Sequence, residues 1–219
     1  MNRPDWDQYW MSEAYMNASR STDKSTHAGT VIVRPDNSVA SAGYNGPVRG
    51  MAPEAVPQTR PEKYLYMEHS ERNAIYIAAK HGISLEGCTL YVNFLPCADC
   101  ARAIVQSGIT EVVVHREGQD AFNEASGIDG DEWDGSHQAS LAIFQKDGPD
   151  IISTWKLSSG NLEFERQEAT ETMAVQGYEF KEETEEGIMY FSKPNTILRW
   201  WSGKLWQPTG FFRGQEFNL

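Results

Sequence analysis

Two short motifs, each at the apparent start of a helix, constrain this chain more than any other feature. The first is "MEHSERNAI", in which His69 precedes Glu71 by two residues, and the second is "LPCADCA", in which Cys97 and Cys100 lie three apart. Cysteines at i and i+3 share one helix face, whereas residues two apart do not. We therefore expect His69 and Glu71 at the irregular entry to one helix, converging with the two thiols at the start of another.

These four side chains match the ligand chemistry of a metal site. A helix N-terminus lowers the pKa of a thiol toward the thiolate that zinc requires, and the imidazole of His69 supplies a third ligand. Three protein ligands leave one tetrahedral position open, as in a catalytic zinc, and Glu71 is then a proton carrier. Taken alone, a C-x-x-C pair also occurs in redox and structural zinc sites. Together, H-x-E and P-C-x-x-C are the signature of zinc-dependent nucleobase deaminases.

Composition excludes several other classes of protein. The 219 residues, 40% hydrophobic and 23% charged, suffice for one buried core plus an appendage. No apolar run reaches the roughly 18 residues that span a bilayer, and the N-terminus lacks a signal-peptide pattern, so we expect a cytoplasmic protein with no membrane partner. A net charge of −12 opposes polynucleotide binding, although a few local cations can hold one phosphate. An odd count of three cysteines favours metal binding or catalysis over disulfides.

Hydrophobic periodicity predicts alternating strands and helices through the first two thirds of the chain. It predicts an N-terminal helix, a hairpin, a proline-rich loop from Gly46 to Lys63, and a helix after each motif, with strands between them. A loop from Glu117 to Gly135, a helix starting at Ser136 and a last strand "PDIIST" follow. We expect a mixed or parallel sheet with helices on its faces.

The pattern changes beyond about residue 155. The acidic run "KEETEEG" and the aromatic segment "ILRWWSGKLWQPTGFF" show neither helical nor strand periodicity. We predict a catalytic domain at 1–155 and a C-terminal extension at 156–219 of unknown role. The extension either packs against the core or a neighbouring subunit, or forms a lid over the substrate.

The chain resembles the deoxycytidylate (dCMP) deaminase family, including its phage members, over about its first two thirds. The likeness is carried by "RPDWDQYWMSEA", "GYNGPVRG", "EHSERNAIYIAAKHG" and "GCTLYVNFLPCADCARAIVQSGITEVVV". It implies a three-layer α/β/α cytidine deaminase-like fold around a mixed five-stranded sheet. It also implies one catalytic zinc ion held by His69, Cys97 and Cys100. Glu71 would move protons from the activated water to N3 of cytosine and to the leaving ammonia, so that dCMP is hydrolysed to dUMP in pyrimidine deoxynucleotide metabolism.

The resemblance also implies residues that contact the nucleotide. Asn45 matches the position that contacts the sugar, and its alternative role is that of a turn residue. Ser21 and Lys24 lie in the loop that approaches the phosphate in this family, although they also fit a solvated loop. Ser70 replaces the alanine usual in many relatives, and its backbone groups can contact the base. Arg49 is a candidate for a phosphate of the substrate or of a dCTP or dTTP effector, or else a surface arginine.

Two departures from the family pattern change these expectations. Relatives place a tyrosine near the pyrimidine ring after the fourth strand, whereas this chain offers Phe122 or Trp133, which makes a 5-substituted cytosine nucleotide conceivable as substrate. The ligands of a second, structural zinc are missing from the matching segments, so we predict a single zinc ion. Because family members often form hexamers, we expect a homo-oligomer.

Several alternative functions share the same motifs. One alternative is a deaminase whose substrate is a modified cytosine nucleotide or dCTP. Another is a tRNA adenosine deaminase, but the acidic net charge argues against binding of a polynucleotide. A catalytically silent binding module with a deaminase fold is the alternative outside enzymes. Glu71 argues against a silent module, because a structural zinc site does not need it and an unpaired buried carboxylate is costly.

Overall fold

The computed structural model describes residues 3–126, 131–145, 151–156, 179–183, 188–193, 198–202 and 205. The chain divides into two compact units: the first joins the segment up to Phe144 to the segment from Trp200, and the second lies between them in sequence. Much of the predicted extension 156–219 lies outside the described residues, so its boundary and role stay predictions.

The order of elements follows the predicted alternation through the first unit. The helices are α1 (Trp6–Ala18), α2 (Ser70–Lys80), α3 (Ala98–Gln106), α4 (Arg116–Ser126) and α5 (Asp131–Phe144). The strands are β1 (Gly29–Val33), β2 (Val39–Tyr44), β3 (Gly46–Pro47), β4 (Met67–Glu68), β5 (Thr89–Val92), β6 (Glu111–His115), β7 (Ile151–Lys156), β8 (Glu179–Glu183), β9 (Ile188–Lys193) and β10 (Leu198–Trp201). The N-terminal helix, the hairpin and a helix after each motif are confirmed.

The main sheet has five strands in the order β10-β6-β5-β1-β2. Strand β1 pairs antiparallel with β2 and β5, whereas β5 pairs parallel with β6, so the sheet is mixed, as predicted. Its fifth strand, β10, comes from the aromatic segment that shows no strand periodicity. The predicted last strand forms as β7, but it pairs with β9 in a separate three-stranded sheet.

Two glycines show that helices cover both faces of this sheet. A Cβ at Gly29 would meet the backbone of Ala14 on α1, and a Cβ at Gly43 would meet the backbone of Ala74 on α2. Gly43 pairs with Thr30, the neighbour of Gly29, and successive residues of a strand point to opposite faces. Helices α1 and α2 therefore lie on opposite sides of the sheet, which gives the expected three layers.

Each face has its own rows of buried side chains. On the α1 face, Val31, Tyr91 and Val113 are neighbours across three strands and pack with Trp10 and Met11. Burying a large apolar side chain contributes about 1.5–3 kcal/mol, so these rows hold the sheet and helices together. Among the residues that the structure describes, no helix is long and apolar enough to cross a membrane.

The predicted loop from Glu117 to Gly135 is wrong. Helix α4 occupies Arg116–Ser126, and α5 begins at Asp131, before the predicted start at Ser136. The glycine and acidic residues of this segment are typical of loops, so the sequence pattern does not indicate these helices. Gly118 is required by packing, because a Cβ there would overlap the hydroxyl of Tyr15 and lie 2.9 Å from Nδ1 of His115.

Candidate active site

The two sequence motifs lie at the N-termini of α2 and α3. His69 is the N-cap residue of α2, and Cys97 is the N-cap residue of α3. Both residues have extended backbone conformations, with φ near −78° and −69° and no capping hydrogen bond from their side chains. Their side chains are thus available to each other, and the expected entry position of His69 is confirmed.

Three side chains converge on a point suited to a tetrahedral metal ion. Nδ1 of His69 lies 3.4 Å from Sγ of Cys97 and 3.6 Å from Sγ of Cys100, and all ligand atoms lie within 4.8 Å of one another. A nitrogen and a sulfur bound to one tetrahedral zinc ion are about 3.6 Å apart, given bond lengths of about 2.05 and 2.3 Å. The donor set and its spacing therefore fit zinc.

Contact between the two thiols shifts their pKa values in opposite directions. The hydrogen bond from Cys100 lowers the pKa of Cys97 to about 4, with help from His69 and against the effect of burial. The pKa of Cys100 is raised well above its ordinary value, because its proton is engaged with Cys97 and its side chain is buried. Zinc binding displaces such a proton, since zinc binds the thiolate form.

Arg72 supplies positive charge beside these thiols. Burial opposes its charge, but Cys100, Glu68 and Cys97 raise its pKa further than burial lowers it. Its Nε donates to Oε1 of Glu68 at 2.6 Å, and its Nη1 lies 3.4 Å from Oδ2 of Asp99. Two carboxylates thus hold a guanidinium where it offsets the negative charge of the thiolates.

Glu71 is a buried carboxyl group on the first turn of α2. Its side chain lines the same pocket as His69 and Cys97, and the residue is 5% exposed. Burial raises its pKa, and the charge of His69 opposes this effect without cancelling it. Ser70 donates a hydrogen bond to Oε2 of Glu71 at 2.8 Å. A raised pKa favours uptake of a proton by this carboxyl, which suits general acid and base chemistry.

Asn45 lines this pocket and also braces its wall. Its Oδ1 accepts from the backbone N–H of Ala28, and its Nδ2 donates to the carbonyl of Thr26, both at 2.8 Å. These bonds tie the end of β2 to the loop before β1. The side chain is only 7% exposed, so the structure assigns it a bracing role, and sugar contact stays a prediction.

Four other predicted contacts lie outside this pocket's lining, and one of them, Ser70, is fully buried behind it with its hydroxyl donating to Glu71. Lys24 is exposed, with its backbone N–H donating to Gln58, and Ser21 accepts a hydrogen bond from the backbone of Asp23. Arg49 lies instead in a second pocket, which also contains Lys80. Their predicted roles toward a nucleotide stay predictions.

Sequence analysis missed the charged wall of the pocket. Lys63 and Asp23 form an ion pair at 2.7 Å, with side chains only 3% and 5% exposed. Arg60 lies beside them, and its buried Nε has no hydrogen-bond partner among the described residues. His137 of α5 also lines the pocket. The proline-rich segment around Lys63 resembles an ordinary solvated loop, so no local pattern signals this burial.

An aromatic pair forms part of the apolar wall. Phe122 of α4 lines the pocket, as predicted for one of the two tyrosine replacements, and its ring centroid lies 4.9 Å from that of Phe94. The side chain of Trp133, the other replacement, lies outside the described residues. Gln119, on the same side of α4, fixes the wall by accepting from the backbone N–H of Leu95 at 2.7 Å.

A half-buried histidine and two cysteines lie beside a buried carboxyl, and His69, Glu71 and Cys97 open onto one pocket. This arrangement is that of a zinc site of the hydrolytic type. The family model for the cytidine and deoxycytidylate deaminase zinc-binding region matches residues 4–116. The chain belongs to this family, and the matched region contains the cluster of His69, Cys97 and Cys100, whose ligand atoms lie close enough together to hold a metal ion.

Individual relatives are similar over part of the chain. Deoxycytidylate deaminase of Mus musculus is 37% identical over 115 residues, or 50% of this chain and 64% of that protein. Deoxycytidylate deaminase of Mycobacterium phage D29 is 35% identical over 130 residues, or 53% of this chain and 99% of that protein. The structure of dCMP deaminase from cyanophage S-TIM5 with dCMP and dUMP is 24% identical at a TM-score of 0.44, over 57% of this chain and 94% of that one.

Proposed function

We propose that this chain hydrolyses dCMP to dUMP and ammonia. The observation that carries the proposal is the buried carboxyl of Glu71, with its raised pKa, in one pocket with His69 and Cys97. A silent zinc module has no use for such a group, because a buried carboxyl without a task is a cost to stability. The relatives named for dCMP deamination in mouse and phage support the same substrate.

Each step of the chemistry has a candidate group. A zinc ion, which His69, Cys97 and Cys100 would hold, would act as a Lewis acid and lower the pKa of the attacking water to about 7. Glu71 takes the proton of that water and delivers it to N3 of the cytosine ring, which makes C4 more electrophilic. The water oxygen bonds to C4, and Glu71 carries the remaining proton of that oxygen to the exocyclic amine, so that the C4–N bond breaks, ammonia leaves and the C4 carbonyl of dUMP forms. Phe94 and Phe122 exclude water from the ring and hold it by aromatic contact.

The charged wall of the pocket, through its residue Arg60, suits the 5′-phosphate of a nucleotide. The buried Nε of Arg60 has no hydrogen-bond partner among the described residues, and a phosphate oxygen is the strongest partner it can receive. The neighbouring Lys63 is already paired with Asp23, so Arg60 carries the proposed contact. We expect Arg60→Gln to raise KM for dCMP by about tenfold while leaving that for deoxycytidine within twofold, measured by initial rates.

The decisive assay is ammonia release by the zinc-loaded full chain. The panel contains deoxycytidine, dCMP, dCTP, CMP, and 5-methyl and 5-hydroxymethyl dCMP. We expect dCMP to react best, and Glu71→Gln to abolish turnover while retaining one zinc ion per chain, measured by metal analysis. Persistent turnover in the variant would contradict the role of Glu71. If only a modified nucleotide reacts, that nucleotide and not dCMP is the substrate. Phe122 has no polar group, so the shape of the apolar wall decides which substituent on the cytosine ring fits.

Three further features belong to the same proposal. The enzyme acts in the cytoplasm, consistent with its nucleotide substrate. A dCTP or dTTP effector binds at the pocket that Arg49, Lys80 and Glu68 line, where the two cations can each contact a phosphate group and Arg72 pairs with Glu68. The enzyme is a homo-oligomer, a hexamer by family resemblance, and the 80% exposed side chain of Leu65 and the 53% exposed Tyr76 offer apolar surface for such contacts. Light scattering with and without dCTP tests both regulation and assembly.

A further inference from the structure

A chain of three buried side chains ends on the proposed proton carrier. Thr30, in the middle of the main sheet on β1, is fully buried, as is Ser70 at the start of α2. The Thr30 hydroxyl donates to Oγ of Ser70 at 2.8 Å, and the Ser70 hydroxyl donates to Oε2 of Glu71 at 2.8 Å. The sheet thus reaches Glu71 through two hydroxyl groups that water does not contact.

The direction of this chain follows from its end group. Whenever Glu71 is ionised, its carboxylate only accepts hydrogen bonds, so Ser70 must donate its single proton to Oε2. Ser70 can then only accept from Thr30, and that hydrogen bond fixes the rotation of its hydroxyl. A hydrogen bond to a charged acceptor inside the protein is stronger than one between neutral groups, and burial of all three residues removes competing water.

We propose that Ser70, supported by Thr30, is a positioning residue that holds Oε2 of Glu71 and so assigns the proton transfers to Oε1. The terminal torsion of a glutamate is broad, so an unheld carboxylate rotates between several orientations. A proton carrier must serve the water, N3 and the amine in turn, each within hydrogen-bond reach, and small misplacement slows every transfer. This role of the Ser70 side chain rests on the proposed deamination.

Ser70→Ala in the zinc-loaded full chain is the direct test. We expect kcat for dCMP to fall about tenfold and KM to change less than twofold, because the substrate pocket keeps its walls. Thr30→Val should lower kcat about threefold. The double variant should be no slower than Ser70→Ala, because both hydroxyls act through one chain.

Ser41→Ala is the matched control. The Ser41 hydroxyl is also buried and donates to the carbonyl of Ala74 on the same helix at 2.7 Å, without contacting Glu71. It should lose stability and keep the wild-type kcat. Melting temperature and zinc content, measured for every variant, separate damage to the fold from damage to catalysis.

The outcomes distinguish the two proposals. A wild-type chain that deaminates no nucleotide overturns the proposed function. An active wild type whose Ser70→Ala variant keeps its kcat, or shows effects that add to those of Thr30→Val, overturns the positioning role. If Ser70→Ala does not fold, Thr30→Val decides: a lower kcat at unchanged KM supports the role, and an unchanged kcat overturns it.

Discussion

Replacing Lys63 by methionine should strongly destabilise the protein. The ammonium of Lys63 contacts both carboxylate oxygens of Asp23, at 2.7 and 3.0 Å, and the hydroxyl of Ser25 at 2.6 Å. Methionine keeps most of the side-chain volume and removes the charge, so Asp23 is left buried without its cation. Removing one partner of a buried ion pair costs about 3–5 kcal/mol, which is a large fraction of the stability of a domain.

Urea denaturation of the zinc-loaded protein at pH 7, followed by circular dichroism, measures this loss. Arg102→Met is the matched control, because the ion pair of Arg102 with Asp99 is exposed and should be worth less than about 1 kcal/mol. The double variant Asp23→Asn, Lys63→Met should regain part of the stability, since no buried charge is left alone. A loss in Lys63→Met no greater than that in Arg102→Met would refute the reasoning.

The same ion pair predicts a dependence on pH. Burial opposes ionisation of Asp23, but hydrogen bonds from Lys63 and Ser25 outweigh it, so the pKa of this carboxyl lies below its ordinary value. The pair therefore stabilises the fold above pH about 4, the pKa of an unfolded aspartate, and the contribution is lost as pH falls through the lower folded value. The difference in unfolding free energy between wild type and Lys63→Met should shrink below pH about 4.

Two further predictions concern packing and the metal. Gly29→Ala should lower the unfolding free energy by about 1–3 kcal/mol or more, because the new Cβ overlaps the backbone of Ala14. Gly135→Ala is the control and should not destabilise the protein, because a Cβ there meets no other atom. Equal melting temperatures of the two variants would contradict this prediction. Cys97→Ser should lose bound zinc after dialysis, because a hydroxyl is a poor replacement for a thiolate, whereas the buried Cys88, outside the cluster, should tolerate serine with full zinc content by metal analysis.

Local patterns were sufficient where the chemistry is local. The spacing of Cys97 and Cys100 places both on one helix face, and the two-residue spacing of His69 and Glu71 excludes a shared face within a helix. Both statements use only helix geometry, and the structure confirms both N-termini. The loop predicted at 117–135 is wrong because Gly118 weakens the helical pattern of α4. A glycine at this position is explained only by the close approach of Tyr15 on α1, which is distant in the sequence.

From the sequence alone, helix geometry and ligand chemistry predicted the cluster of His69, Cys97 and Cys100 with Glu71 beside it, and hydrophobic periodicity predicted the alternating strands and helices, because each motif and each period spans only a few residues. Only the tertiary structure decided three long-range contacts: the pairing of Lys63 with Asp23, the contact of Thr30 with Ser70, and the addition of β10 to the main sheet. Each of these joins residues tens of positions or more apart. Such partners are selected by burial and pairing across the whole fold, and no periodicity in the sequence records them.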